Sequence, residues 1–134
     1  MASAERKFES LTKLLQRLSV KAGKGVPIIV EGKKDLAALR KLGVEGRIIC
    51  AKNSRQVFVD FLDRVQSREV ILFVDFDEGG VSLAKEITQY LPGKGVKVDS
   101  VFWRSIRSLV RRDVRDVEGL PSYLEKLKKR VVYC

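Results

Sequence analysis

The sequence predicts an α/β fold in which helices sandwich a parallel sheet of about four strands. Short runs rich in valine and isoleucine alternate along the chain with stretches that carry leucine at helical spacing. The run Val70–Asp75 is apolar at every position before its final aspartate, which is typical of a central strand buried on both faces. With 134 residues, the chain is long enough for one hydrophobic core and too short for two.

The N-terminal residues predict an amphipathic helix, because apolar side chains recur every three or four positions and basic residues occupy the other faces. This helix, within residues 1–25, is expected to pack on the single globular domain formed by residues 26–134. A short strand at 26–31 follows it. The next helix runs from Lys33 to Leu42 and ends at Gly43.

The middle of the chain repeats this strand–helix pattern. A second strand is predicted at Arg47–Cys50, and Asn53 or Ser54 is expected to cap a third helix. The strand Val70–Asp75 then leads into a helix from Gly79 to Leu91, which the sequence Pro-Gly ends.

The last third of the chain is predicted to contain one more strand and two helical segments. Valines alternate with polar residues in the run Val96–Trp103, which is therefore predicted to be a strand. A basic helical tract, Arg104–Arg115, follows it. The segment Pro121–Val131 closes the chain as a helix.

The composition favours a polyanionic partner. Lysine and arginine total 27 against 17 acidic residues, which gives a net charge of +10 without any histidine. Such an excess attracts nucleic acid, although a solvated surface laced with salt bridges is the alternative. Two cysteines do not make a disulfide framework, and Cys50 reads as a small core residue. Without a secretory or membrane-length apolar segment, we expect a cytoplasmic protein with no membrane partner.

Three carboxylates follow predicted strands, which is where open α/β sheets place ligand sites. Glu31 ends the first strand, and Asp75 and Asp77 follow the most apolar one. Because residues at i and i+2 of extended backbone point the same way, the two aspartates can share an ion. An all-oxygen donor set suits Mg²⁺, with Mn²⁺ as a substitute. Taken singly, Glu31 is better explained as a surface carboxylate at the end of a strand, and Asp77 as the N-cap of the helix that follows.

Glycines and lysines next to these acids suit a phosphate ligand. Gly32, Gly79 and Gly80 remove side chains where a phosphate backbone would approach, although ordinary turns use glycine in the same way. Lys33 and Lys34 either neutralise phosphate or simply solvate the start of a helix.

Together these residues resemble the Toprim domain, which topoisomerases, bacterial-type primases, OLD-family nucleases and small maturation ribonucleases share. The resemblance rests on Val-Glu-Gly-Lys-Lys-Asp at Val30–Asp35 and on Asp75-x-Asp77-x-x-Gly80 after an apolar strand. It spans most of residues 26–103 and implies the Rossmann-like Toprim fold.

The resemblance also implies roles for individual residues. Glu31 would help to hold a metal ion and act as general acid or base in strand cleavage or joining. Asp75 and Asp77 would be Mg²⁺ ligands, with Asp75 able to bridge two ions. Asp35 would organise the site rather than bind metal, and Gly32 and Gly80 match the family's turn glycines.

The chain departs from many relatives at three points. Phe76 stands between the aspartates, where many relatives carry proline or a small residue. Gly79 occupies the position of the third acid of type II topoisomerases. The chain also has no room for the separate domain that brings a nucleophilic tyrosine to DNA.

The length of the chain favours the small nuclease-like branch over a complete topoisomerase or primase, and in that branch Mg²⁺ supports phosphodiester cleavage. The basic tract, with Phe102 and Trp103 beside it, is expected to grip the sugar–phosphate backbone, and the alternative is a cationic helix face with an aromatic anchor in the core. Residues after the second strand are expected to contact phosphate as well. The full set of predicted nucleic-acid contacts, besides the glycines and lysines above, is Lys52, Asn53, Arg55, Arg104, Arg107, Arg111 and Arg112.

A second hypothesis is a non-catalytic module. The protein would then bind nucleic acid in the presence of Mg²⁺, or serve as an accessory subunit of a DNA repair, primase or RNA-processing complex. The amphipathic N-terminal and C-terminal helices would present surfaces to a protein partner, although covering the sheet is their more ordinary role. A nucleotide-binding regulator lacks support, because neither a P-loop nor Gly-x-Gly-x-x-Gly occurs in the sequence.

Overall fold

The computed structural model describes residues 3–51 and 65–133. The predicted third helix and the predicted phosphate contacts at Lys52, Asn53 and Arg55 lie outside the described residues. Element labels below number the described helices and strands in chain order.

Four parallel strands form the sheet, as the sequence predicted. They are β1 (Ile28–Val30), β2 (Ile48–Cys50), β3 (Glu69–Leu72) and β4 (Lys97–Asp99). Their order across the sheet is β2-β1-β3-β4, and each neighbouring pair is parallel. The chain moves from β1 to one side and from β3 to the other, so the carboxyl ends of β1 and β3 lie next to each other at the switch point.

Helices flank this sheet. They are α1 (Ala4–Gly23), α2 (Lys33–Lys41), α3 (Glu78–Tyr90), α4 (Val101–Val110) and α5 (Leu120–Tyr133). Two single 3₁₀ turns, Leu91–Lys94 and Val117–Gly119, precede β4 and α5. Helix α1 packs against α4 and α5, and α2 packs against α5 and the second turn. Among the described helices, none combines the length and apolar character that crossing a bilayer requires.

The core lies on the two central strands. Every side chain of β1 is inaccessible to solvent, and so are those of Val70–Val74. Helix α1 contributes Leu11, Leu15 and Leu18 to the same buried core, and their spacing places them on one face of the helix. Near its C-terminal end, Lys21 Nζ donates to Glu69 Oε2 on β3 at 2.8 Å and to Asp99 on β4. This ion cluster ties the first helix to the sheet.

The predicted strand Val96–Trp103 is wrong beyond Asp99. Only Lys97–Asp99 pairs with β3, and Val101 begins α4. Asp99 Oδ1 accepts a hydrogen bond from the Val101 backbone N–H at 2.9 Å, which favours a turn over a continued strand. Trp103, Ile106 and Val110 then form a buried helical face, and that burial outweighs the β-propensity of the local sequence.

Candidate metal centre

The two strand-end acids meet across the centre of the sheet. Pairing of β1 and β3 continues past Leu72, because the Phe73 N–H donates to Ile29 O at 2.9 Å. Glu31 Oε1 then accepts a hydrogen bond from the Asp75 N–H at 3.4 Å, across 44 residues of sequence. The two carboxyl groups are also close enough to hydrogen-bond to each other. The acids predicted from separate motifs therefore form one site.

Asp75 is held from three further elements. Its Oδ1 accepts from the Val117 N–H at 3.0 Å, and its carbonyl oxygen accepts from Trp103 Nε1 at 3.2 Å. Gly80 packs against the same carbonyl so closely that a Cβ there would lie 1.9 Å from the oxygen. The glycine is thus required by the protein's own packing. The carboxylate is consequently fixed in place before any ligand arrives.

Asp77 begins helix α3. Its Oδ1 accepts from the Gly80 N–H at 2.8 Å, which is the N-cap role that the sequence left open for it. Phe76 between the aspartates is buried, whereas Asp77 is exposed. The cap uses one carboxylate oxygen of Asp77 and leaves the second as a candidate ligand.

Asp35 is the one charged residue buried in the described part of the chain, with 7% of its surface exposed. Its Oδ2 accepts from the Gly32 N–H at 3.0 Å and so fastens the turn that follows Glu31. This geometry suits an organising residue. Lys33 and Lys34 are exposed in the first turn of α2.

Sequence reasoning missed two acids that join the site, Asp116 and Glu118. The 3₁₀ turn that carries them packs against α2, and its Val117 N–H is the donor to Asp75. Asp116 Oδ1 caps the turn by accepting from the Gly119 N–H at 2.8 Å. The spacing Asp-x-x-Gly matches that of Asp77 and Gly80 and signals the cap. Its proximity to Asp75 depends on tertiary structure alone.

The clustered acids raise one another's pKa values. Burial, followed by the charge of Asp75, raises the pKa of Glu31 to about 7. Burial also raises the pKa of Asp75, and the negative charges of Asp116 and Asp77 raise it further. The hydrogen bond from the Val117 N–H lowers this pKa but does not reverse the shift. The pKa of Asp35 is raised by burial and then by the charge of Asp75. At neutral pH, without a cation, Glu31 is therefore protonated in a substantial fraction of the molecules.

These residues fit Mg²⁺ by their chemistry. Within residues 3–51 and 65–133, no three His, Cys, Asp or Glu side chains are already arranged as a ready ligand set. The donors nevertheless are hard carboxylate oxygens, and their mutual repulsion is the kind that a divalent cation relieves. Glu31, Asp75 and Asp77 are the residues that would hold it.

The basic tract docks on the loop that carries the aspartates. Arg107 Nε donates to Phe76 O at 2.9 Å, and its guanidinium lies 5.9 Å from the Trp103 ring centroid. The Phe76 N–H donates to Arg115 O at 2.8 Å. Trp103 is 7% exposed and serves as the core anchor, so its ring is not available to stack on a base.

The remaining predicted basic contacts divide between two surfaces. Arg111 lies with Arg107 in a cleft beside Asp77. Arg104 lies instead with Lys13 and Arg17 in a groove of about 740 Å³ between α1 and α4. Arg112 is exposed and lines neither.

Comparison with known proteins agrees with this geometry. Residues 25–102 match the family model described as the Toprim domain. A UPF0292 protein of Methanocaldococcus jannaschii is 42% identical over 120 residues, which cover 89% of this chain and 93% of that protein. A UPF0292 protein of Methanosarcina barkeri is 32% identical over 131 residues, covering 96% and 90% respectively.

A solved structure is similar as well. It is a protein from Aquifex aeolicus, with a TM-score of 0.65 and 25% sequence identity, over 81% of this chain and 95% of that one. The matched segment contains β1 to β4 and both acidic motifs, and it exceeds half of the chain. The chain therefore belongs to the Toprim family.

Proposed function

We propose that this protein is a Mg²⁺-dependent nuclease that cleaves phosphodiester bonds in nucleic acid. The observation that carries the proposal is the meeting of Glu31 and Asp75 at the ends of β1 and β3, with Asp77 two residues further on. A Toprim domain suggests a metal-binding role connected with nucleic acids, and hydrolytic cleavage is the finer step proposed for this chain.

Each acid has a distinct task in this proposal. Glu31, Asp75 and Asp77 would hold Mg²⁺, which supplies polarisation of the scissile phosphate and a more acidic bound water. Glu31 Oε1 already accepts from the Asp75 backbone N–H, and with its pKa raised to about 7 it is placed to take up or release a proton near neutral pH. Asp35 holds the turn after Glu31, while Val117 and Trp103 hold Asp75.

The positive charge of the protein supports a polyanionic substrate. The chain carries a net charge of +10, although six carboxylates gather around the carboxyl ends of β1 and β3. Arg107 and Arg111 border that acidic region. The basic surface attracts a polyanion, whereas the clustered carboxylates repel its phosphates. A substrate phosphate is therefore expected to reach the acidic site together with a cation.

The test is cleavage of labelled single- and double-stranded DNA and RNA in Mg²⁺ or Mn²⁺. We expect cleavage by the wild type, loss in the Asp75→Asn/Asp77→Asn double variant, and loss with retained binding in Glu31→Gln. Glu86→Gln is the matched control, since Glu86 is exposed on α3. Failure of the wild type to cut any substrate in either metal would refute the nuclease.

Two observations favour a second candidate, a non-catalytic nucleic-acid-binding module. One carboxylate oxygen of Asp77 caps α3, and the acids of the described residues are not arranged as a complete set of metal ligands. In that case the same assays would give salt-sensitive binding without products, with a partner protein supplying the chemistry.

A further inference from the structure

A cleft lined by three arginines opens beside Asp77. Its volume is about 530 Å³, which accommodates a phosphate group with part of its nucleoside. The arginines come from α4 and the segment after it, and the opposite wall is the loop that leads into α3. The lining residues are Phe76, Asp77, Glu78, Gly79, Arg107, Arg111 and Arg115.

The three guanidinium groups have no carboxylate partners in the described part of the chain. The ion pairs found there involve Lys7, Lys21 and Lys97 instead. Asp77, although it lines the same cleft, uses Oδ1 to cap α3. The cleft therefore carries three positive charges against the two negative charges of Asp77 and Glu78, and a bound anion would offset the remaining repulsion among the guanidiniums.

The cleft also holds one of its guanidinium groups in a fixed position, which favours a planar contact through several hydrogen bonds to a ligand. The backbone carbonyl of Phe76 and the ring of Trp103 fix Arg107, since its Nε donates to the carbonyl at 2.9 Å. Gly79 leaves the opposite wall open, because a Cβ there would meet nothing nearer than Asp77 Oδ1 at 3.5 Å. Guanidinium groups bind phosphate oxygens through paired hydrogen bonds, so this arrangement suits a phosphate.

We propose that this cleft binds the terminal phosphate of the nucleic-acid strand whose interior lies at the acidic site. Three guanidiniums match a terminal phosphomonoester better than an internal diester, because the monoester carries close to two negative charges at neutral pH and the diester carries one. The proposal rests on the proposed function in one respect, namely that the bound strand continues to Glu31 and Asp75.

The test measures binding of oligonucleotides of one sequence in EDTA, where Mg²⁺-dependent cleavage cannot occur. Fluorescence anisotropy compares a 5′-phosphate, a 3′-phosphate and hydroxyls at both ends. We expect one phosphorylated form to bind about tenfold more tightly than the hydroxyl form, which is the scale of one charge-assisted contact. Equal affinity for all three forms would overturn the proposal.

Variants then locate the preference. Arg111→Gln/Arg115→Gln should abolish it, and Arg111→Lys/Arg115→Lys should reduce it, since lysine keeps the charge without the forked geometry. Both residues are exposed, so these variants should fold. Arg112→Gln removes one positive charge at an exposed residue that does not line the cleft, and it should weaken all three oligonucleotides equally. A preference that survives the double Gln variant would place the phosphate elsewhere and refute the proposal.

Different results would refute the proposed nuclease activity and the proposed phosphate-binding cleft. An end preference in EDTA from a protein that never cuts would retain the cleft and refute the nuclease. Cleavage in Mg²⁺ without any end preference would refute the cleft alone.

Discussion

Substitution of Gly80 by alanine should destabilise the protein strongly, although the position is helical and alanine is normally the better helix former. The added Cβ would lie 1.9 Å from Asp75 O and 2.5 Å from its carbonyl carbon. These are backbone atoms, so no side-chain rotation can relieve the contact. The start of α3 and the Asp75 loop must move apart by about 1 Å to reach a tolerable distance, as judged from the 1.9 Å contact.

The cost can be worked from that displacement. Overpacking of this kind costs about 1–3 kcal/mol. Moving the Asp75 carbonyl also breaks its 3.2 Å hydrogen bond from Trp103 Nε1, which contributes about 1 kcal/mol more. A total of about 2–4 kcal/mol corresponds to a fall in Tm of roughly 7–14 °C for a chain of 134 residues.

Gly79→Ala is the matched control. A Cβ there would meet only Asp77 Oδ1 at an ordinary 3.5 Å, so this variant should keep wild-type stability or gain up to about 0.5 kcal/mol. Differential scanning calorimetry or thermal circular dichroism of the two variants measures the contrast. If Gly80→Ala unfolds at the same temperature as Gly79→Ala, the carbonyl contact does not constrain Gly80 and the reasoning is refuted.

Two further predictions concern charge. Glu31→Gln should stabilise the metal-free protein at pH 8 by about 1–2 kcal/mol, because the carboxyl pKa rises on folding from 4.5 to about 7 and solvent screens part of that cost. A folded pKa above the unfolded one makes stability fall as pH rises between those values, so urea denaturation should find the gain absent at pH 4.5. Lys21→Met should cost about 2 kcal/mol at pH 7, since it removes the ion-pair partner of Asp99 and, among the described residues, leaves Glu69 only the 4.0 Å contact with Lys97. Burial raises the pKa of Asp99, but its contacts, led by that with Lys21, lower the pKa below its usual value. The cost of Lys21→Met should therefore shrink as pH falls through that lowered value. An unchanged cost at pH 3 would contradict the assignment.

The centre of the fold was readable from the sequence because its signals are local. Val70–Val74 is apolar at every position and is fully buried, as expected of a central parallel strand. The acids that follow β1 and β3 come together because parallel neighbours end at the same edge of a sheet. Once a strand is recognised in the sequence, an acid at its carboxyl end can therefore be placed at the edge of the sheet where such acids meet.

The segment after β4 was misread because its local preferences and its tertiary role disagree. Valine, phenylalanine and tryptophan at 101–103 favour extended backbone, yet the helix they begin buries Trp103 together with Ile106 and Val110. The spacing of those three residues was a signal for the helix. Asp116 lies near Asp75 only because the turn after the basic tract folds back over α2, and no sequence period encodes that return.

The docking of α4 on the Asp75 loop limits how this protein can be altered. Trp103 and Arg107 grip the carbonyls of Asp75 and Phe76, so a change made there to adjust affinity for a strand would also disturb the carboxylates. Arg111, in contrast, is exposed and its side chain makes no such contact within the described residues. Under the proposed binding of a terminal phosphate, the preference for a strand end can be changed at Arg111 alone, whereas a change at Trp103 or Arg107 would also disturb the acidic loop.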